Sequence, residues 1–275
     1  MNPFEAILLG LIQGITEFLP ISSSAHVQIA QELLGLSNLT KPQLTAFIAT
    51  IQIGTEVAVV LYFYKTIIEV LGSWFKAGFR PWKTQPAQAK LGWLIILGTL
   101  PVVVLGLTFQ SQIENDVRQL WVIGITLVVF GLILGVADRF GKKRKPIEEL
   151  DLKSGMAFGF GQALALIPGV SRSGGSITVG LLLGFTREAA ARYSFLLAIP
   201  AVLGSGIYQF LGSYQDLPPD LLVSTIAATI VSFIVGYSVI SWLLKYLSRG
   251  SFMPFVIWRV AVGSLLLIGL GVGAI

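Results

Sequence analysis

The sequence predicts an all-α polytopic membrane protein: six transmembrane helices plus two re-entrant helical hairpins, arranged as an inverted-topology repeat. Three observations predict it. Of 275 residues, 54% are hydrophobic and only 12% charged, and the mean hydropathy is +0.80, whereas soluble domains carry about 25% charged residues. Six apolar stretches approach the roughly 20 residues that cross a bilayer as a helix. Two more are broken near their middles by a proline and a serine-rich run. This balance excludes an ordinary soluble globule, and its low charge with many aromatics excludes disorder. With no cysteine, disulfides, thiolate metal sites and a cysteine nucleophile are excluded too.

The first element, residues 4–36, is broken by Pro20 and Ser22-Ser23-Ser24-Ala25-His26. Irregular backbone survives at membrane depth only when buried in protein or lining a wet cavity. The stretch therefore reads as two half-helices around a polar elbow that returns to its own side. No basic residue precedes it, so a cleavable signal peptide is not expected. Spans follow at 44–64, 91–109 and 119–138. The second broken element, 155–185, turns at Pro168 and Ser171-Arg172-Ser173-Gly174-Gly175-Ser176. Spans at 190–212, 221–244 and 252–273 complete the chain.

Alternating the six spans puts fifteen of the nineteen basic residues on one side, in segments from Lys65 to Arg249 and most densely at Lys142-Lys143-Arg144-Lys145. The other side holds Lys41 and Arg118, and Arg172 and Arg259 stay inside the membrane. The positive-inside rule makes the basic side cytoplasmic. That explains the pI near 9.5 without nucleic acid and predicts both termini outside. Pro20 and Pro168, and Phe47 and Phe195, are each 148 residues apart. Each half is then one broken segment plus three spans, and three crossings invert the second half. The whole of 1–275 reads as a single integral membrane domain, with repeat one about 1–140 and repeat two about 150–275. The two elbows enter from opposite faces, and their tips can meet.

The first elbow concentrates Gln13, Glu17, Ser22, Ser23, Ser24 and His26, the chain's one histidine. Gln13 and Glu17, four apart, share a helix face. Ionisable groups inside a membrane are expensive and mark function. The second elbow has the makings of an anion cradle. Its glycines let N–H groups converge, the following helix adds its dipole, and Arg172 offers a planar fork. The alternative is a packing patch in which Arg172 pairs with a carboxylate such as Glu17. Together the elbows supply what phosphoryl transfer needs: a hydroxyl, a carboxylate, an imidazole and a guanidinium. A site in the bilayer implies a lipid-linked substrate. Glu56 and Arg259 lie inside spans, and each is a candidate partner for the other.

Gln13-Gly-Ile-Thr-Glu17-Phe-Leu-Pro-Ile-Ser-Ser-Ser-Ala-His26 together with Pro168-Gly-Val-Ser-Arg-Ser-Gly-Gly-Ser176 resembles the BacA/UppP family of undecaprenyl-diphosphate phosphatases. The likeness extends over nearly the whole chain, including Tyr193–Pro200 and Phe252–Arg259. It implies hydrolysis of undecaprenyl diphosphate to the monophosphate and inorganic phosphate in the bacterial plasma (inner) membrane. That reaction recycles the carrier lipid for peptidoglycan synthesis and confers bacitracin resistance. The resemblance implies catalytic roles for Glu17, Ser23, His26 and Arg172, and substrate contacts from Gln13, Ser22, Ser171, Arg172, Ser173 and Ser176. It also implies a divalent cation, magnesium or calcium, held by Glu17. Gln13 stands at the first place of a Glu/Gln-x-x-x-Glu motif, and Ser176 stands where many members have threonine.

Three routes stay open at this stage: Ser23 as nucleophile, His26 as nucleophile, or water activated by Glu17 or His26. The partners expected are a polyprenyl diphosphate and membrane lipid, not nucleic acid, and a homodimer is compatible with the sequence. Because Glu17 and His26 arrive on the outward hairpin, the site is expected to open to the external face. The main rival is a lipid-phosphate transporter or flippase, since inverted repeats with midplane elbows are also a transporter plan. The acid-phosphatase-like lipid phosphatases need two histidines, so that mechanism is excluded.

Overall fold

A computed structural model describes residues 1–36, 39–109 and 119–274. Arg118, counted above on the less basic side, lies outside them. The described residues form eleven α-helices joined by short turns, with no strand among them. They are α1 (Pro3–Thr16), α2 (Ser23–Leu33), α3 (Lys41–Tyr62), α4 (Tyr64–Ala77), α5 (Ala87–Thr108), α6 (Leu120–Phe140), α7 (Leu152–Ala163), α8 (Arg172–Leu182), α9 (Arg187–Ser213), α10 (Leu222–Leu247) and α11 (Met253–Gly271).

Six helical segments are long and apolar enough to cross a membrane: Lys41–Tyr62, Ala87–Thr108, Leu120–Phe140, Arg187–Asp216, Pro219–Leu247 and Met253–Gly271. Each matches one of the six apolar stretches, and the chain is a multi-pass membrane protein. The fourth begins before its apolar window, because Thr186 caps it by accepting from the Ala189 N–H and the polar Arg187-Glu188 forms its first turn. Such a cap satisfies a backbone donor that the helix leaves free.

Of the five remaining helices, the four flanking the elbows are short. α1 has 14 residues, α2 and α8 have 11 each, and α7 has 12. None alone reaches the roughly 20 residues that a crossing needs. Two of them pack against a long helix from the other half of the chain: α1 lies on α10, and α7 on α5. Glycine permits both contacts. A Cβ at Gly10 would sit 2.3 Å from the Ala228 carbonyl oxygen, and one at Gly159 would sit 2.2 Å from that of Gly98. Backbones this close are how helices associate where the hydrophobic effect between them is weak. The main core surrounds the second elbow, with Phe158, Phe185, Tyr193, Phe195 and Phe252 fully buried. Many apolar residues face outward instead, among them Leu107, Phe140, Val223 and Leu265, as lipid-facing helix surfaces require.

Candidate functional site

The first elbow starts where α1 ends. Glu17 caps that helix, its N–H donating to the Gln13 carbonyl at 3.0 Å. The chain then turns through Pro20 and re-enters helix at Ser22. Ser22 has φ +76°, and its hydroxyl accepts from the Ala25 N–H. The second elbow is built in the same way. Ser171 has φ +75°, and its hydroxyl accepts from the Gly174 N–H at 3.1 Å. Ser22 shares a hydroxyl contact with Ser24 at 3.2 Å, and Ser171 one with Ser173 at 3.1 Å. Positive φ is strained for a residue with a Cβ, so both turns are over-determined by their surroundings.

The two elbows touch. Arg172, the first residue of α8, forms an ion pair with Glu17 through Nη2 and Oε1. The Ser173 hydroxyl donates to the Leu19 carbonyl at 3.2 Å. Glu17 Oε2 accepts from the Ser23 hydroxyl at 2.6 Å and from Gln13 Nε2 at 2.9 Å. One carboxylate thus gathers a guanidinium, a hydroxyl and an amide. Its side chain is 8% exposed and that of Arg172 is 24% exposed, so the arginine fork keeps an open edge. The Glu17–Arg172 pair is the contact that the packing alternative expects. What packing alone does not account for is the hydroxyl placed on the same carboxylate.

His26 stands apart from that cluster. Its ring contacts are the Ser22 carbonyl, 2.8 Å from Nδ1, and Trp258, whose indole N–H donates to Nε2 at 2.8 Å. Among the described residues no hydrogen bond joins it to Glu17, Ser23 or Arg172. Ser176 is fully buried, donates to the Arg172 carbonyl at 2.7 Å and meets Ser194 at 2.6 Å. Its hydroxyl braces α8 from behind.

Glu56 and Arg259 do not pair with each other, which corrects the expectation from sequence. Arg259 is 0% exposed and spends its donors on carbonyls. Nη1 reaches Pro20 at 3.0 Å and Val170 at 2.9 Å, Nη2 reaches Gly169 at 2.9 Å, and longer contacts run to Thr126 and Leu127. The guanidinium is therefore a staple through both elbows, and its charge adds a positive field beside them. A carboxylate was the expected partner because charge alone is visible in sequence. The free carbonyls exist only once both elbows have turned.

Glu56, on α3, faces instead a small cavity that it shares with Glu17, Phe18, Arg172, Ser173 and Ser194. It is 3% exposed, and its Oε1 has no hydrogen-bond partner. Among the described residues no three His, Asp or Glu side chains cluster as a ready-made metal site. The arrangement nonetheless has the parts for phosphoryl chemistry: a hydroxyl on a carboxylate, a forked cation at a helix N-terminus, and a second carboxylate residue lining the same cavity.

Comparison with known proteins agrees over the full length. The profile of the family described as bacitracin resistance protein BacA matches residues 6–265. The chain is 51% identical to the undecaprenyl-diphosphatase of Pseudarthrobacter chlorophenolicus, covering 100% of this chain and 99% of the relative. It is 52% identical to undecaprenyl-diphosphatase 2 of Agrobacterium fabrum (100% and 98%). It is 47% identical to the undecaprenyl-diphosphatase of Micrococcus luteus (100% and 99%).

Proposed function

This chain belongs to the bacitracin resistance protein BacA family, and from that premise we propose how it hydrolyses undecaprenyl diphosphate to undecaprenyl phosphate and inorganic phosphate. The reaction recycles a carrier lipid for peptidoglycan synthesis. The observation that carries the mechanism is the Ser23 hydroxyl donating at 2.6 Å to Glu17, whose carboxylate also meets Arg172 of the other elbow. A serine in that position has a base attached and a phosphate-binding cation beside it.

In this mechanism Arg172 exchanges part of its contact with Glu17 for oxygens of the diphosphate, aided by N–H groups at the start of α8 and the hydroxyls of Ser171 and Ser173. Ser22 and Gln13 hold the facing side. Ser23 attacks the terminal phosphorus as its proton passes to Glu17. The phosphorus–oxygen bond to the bridging oxygen breaks, and undecaprenyl phosphate leaves. Water then attacks the phosphoserine, inorganic phosphate departs, and Ser23 regains a proton. His26 is the base left to accept the proton of that water. Direct attack by His26 finds less support, because Ser23 already donates to a carboxylate base, while among the described residues no hydrogen bond joins the imidazole to that cluster and it can act there only through a water.

A divalent cation fits the residues present. Magnesium is often held by one or two carboxylates plus substrate phosphates, and Glu17 with Glu56, which lines the same cavity, would hold it here. When bound it would neutralise phosphate charge.

The topology proposed is the inverted repeat with two re-entrant hairpins, both termini external, in the bacterial inner membrane, with the site opening outward. Supporting it, Ser22 and Ser171 repeat the same turn 149 residues apart, and Gly10 and Gly159 repeat the same close approach at that spacing. The register is then 149 at the elbows rather than the 148 suggested by the prolines. Labelling of a Ser24→Cys variant, in a chain with no other cysteine, by a membrane-impermeant reagent tests the outward opening. Labelling only after permeabilisation would overturn it.

The experiment that tests the function is phosphate release from undecaprenyl diphosphate by purified protein in detergent. No second compartment exists there, so turnover supports hydrolysis over transport. A phosphoserine trapped at Ser23 and located by mass spectrometry tests the route.

A further inference from the structure

Both ring nitrogens of His26 are occupied, and their partners are of opposite kinds. A backbone carbonyl only accepts, so Nδ1, 2.8 Å from the Ser22 oxygen, carries a proton. An indole N–H only donates, so Nε2, 2.8 Å from Trp258 Nε1, is bare. The two contacts together admit one neutral tautomer. The rings are also nearly parallel, 13° apart with centroids at 6.1 Å, so the indole restrains the imidazole plane as well as its proton.

Trp258 is held in register by its neighbour. Arg259 follows it on α11 and is bonded to carbonyls of both elbows. The turn of α11 that presents the indole is thereby fixed against the turn of α2 that presents the imidazole. Trp258 is 51% exposed, and tryptophans on helix surfaces ordinarily read as membrane-belt anchors. An anchor needs no histidine lone pair at the end of its N–H.

We propose that Trp258 is a positioning residue for the hydrolysis: with the Ser22 carbonyl setting the Nδ1–H tautomer, its indole holds the plane of His26 and keeps Nε2 bare, so that Nε2 is the nitrogen the imidazole offers as a base. The inference rests on the phosphatase reading above for the step it serves. When water attacks the phosphoserine, its proton goes to Nε2, and the indole N–H must yield that lone pair. Wrongly protonated at Nε2, the imidazole would present a donor where the step needs an acceptor.

A single histidine makes the test free of background. Protein labelled with 15N at histidine, in detergent, is compared with a Trp258→Phe variant, which keeps an aromatic ring and loses the donor. The wild type is expected to show one protonated nitrogen, Nδ1, and one bare nitrogen, Nε2. In Trp258→Phe, Nδ1 should stay protonated against the Ser22 carbonyl, the resonance of the bare Nε2 should shift as its hydrogen bond is lost, and kcat should fall roughly 10-fold with KM changed less than about twofold, because positioning a base leaves binding alone. A wild-type spectrum showing Nε2–H overturns the proposal even if the variant does not fold. So does a variant whose spectrum or kcat is unchanged. A wild type with no phosphatase activity would sink the function instead, and the tautomer would still be measurable.

Discussion

The two elbows share a backbone and differ in cargo. Each begins with a serine at a positive φ whose hydroxyl caps the next helix. In the first, the following residues are Ser23, Ala25 and His26, side chains with room to act. In the second they are Arg172, Gly174 and Gly175, and that room is filled. A Cβ at Gly174 would meet Arg259 Nη1 at 2.8 Å, and one at Gly175 would meet the Gly161 carbonyl oxygen at 2.2 Å. The second elbow is clamped against α7 and bonded to Arg259 through two carbonyls, Gly169 and Val170, against one, Pro20, in the first, so its one long side chain, Arg172, projects from a fixed base. The first is looser around its imidazole, whose hydrogen bonds among the described residues are to Ser22 and Trp258. In the mechanism proposed above, the same turn serves as a rigid phosphate holder in one place and as a platform for moving protons in the other. Preorganised charge lowers a barrier only if it does not rearrange during the reaction, whereas a base must exchange partners.

The sharpest way to break this division is to delete one hydroxyl from each elbow. Ser23→Ala should lower kcat by about 10⁴-fold or more, as loss of a nucleophile does, and abolish the phosphoenzyme. Ser173→Ala, which loses its bond to the Leu19 carbonyl, should cost about 10-fold or less, the size expected of one neutral hydrogen bond. Near-normal turnover by Ser23→Ala ends the serine route, and comparable losses in both end the division of labour. Next in size, Arg172→Lys keeps the charge and loses the fork. Steady-state kinetics should show a loss of about 10² to 10³ in kcat/KM, and a loss under tenfold would mean that a point charge suffices.

How far the sequence alone reveals this site depends on whether a feature is local. The six spans are legible because each is a continuous apolar run, and their ends shift by a few residues because polar caps such as Thr186 lie outside any apolar window. The elbows are legible because proline followed by serines is improbable inside a membrane. The Glu17–Ser23 contact is six residues long, and both members are found by inspection of one motif. Arg259 is also conspicuous, yet its partners lie 89, 90 and 239 residues away and are carbonyls, which no pattern of side chains advertises. Trp258 is harder still. It meets His26 across 232 residues, and a tryptophan near a helix end already has an ordinary explanation. The proline register misleads because two residues, Gly169 and Val170, separate Pro168 from Ser171, whereas Ile21 alone separates Pro20 from Ser22. The matching feature is the backbone angle of Ser22 and Ser171, and that becomes visible only in three dimensions.

The clamped nature of the second elbow has its own test. At the spacing of 149 residues that relates the two serines, Gly175 corresponds to His26. One elbow accommodates an imidazole where the other admits a hydrogen. Gly175→Ala should therefore lower stability by about 1–3 kcal/mol, the usual cost of overpacking, read as a fall in the thermal transition in detergent. The obstructing atom belongs to backbone and cannot rotate away. An unchanged transition would show that α7 and α8 separate easily and that the holder is not rigid.

The smallest effect isolates the shared turn from its cargo. At Ser22 and Ser171 the hydroxyl caps a helix while the Cβ pays for a positive φ, and substitution separates the two. Alanine removes the cap and keeps the strain, so Ser22→Ala and Ser171→Ala should each cost about 1 kcal/mol. Glycine removes the cap and relieves the strain, so Ser22→Gly and Ser171→Gly should each cost only a few tenths by the same scale. The ordering, alanine worse than glycine at both positions, follows from geometry alone and is read from thermal transitions of the four variants. If the ordering holds at one elbow and reverses at the other, the two turns are not the same device, and the kinship between the halves loses its best local support.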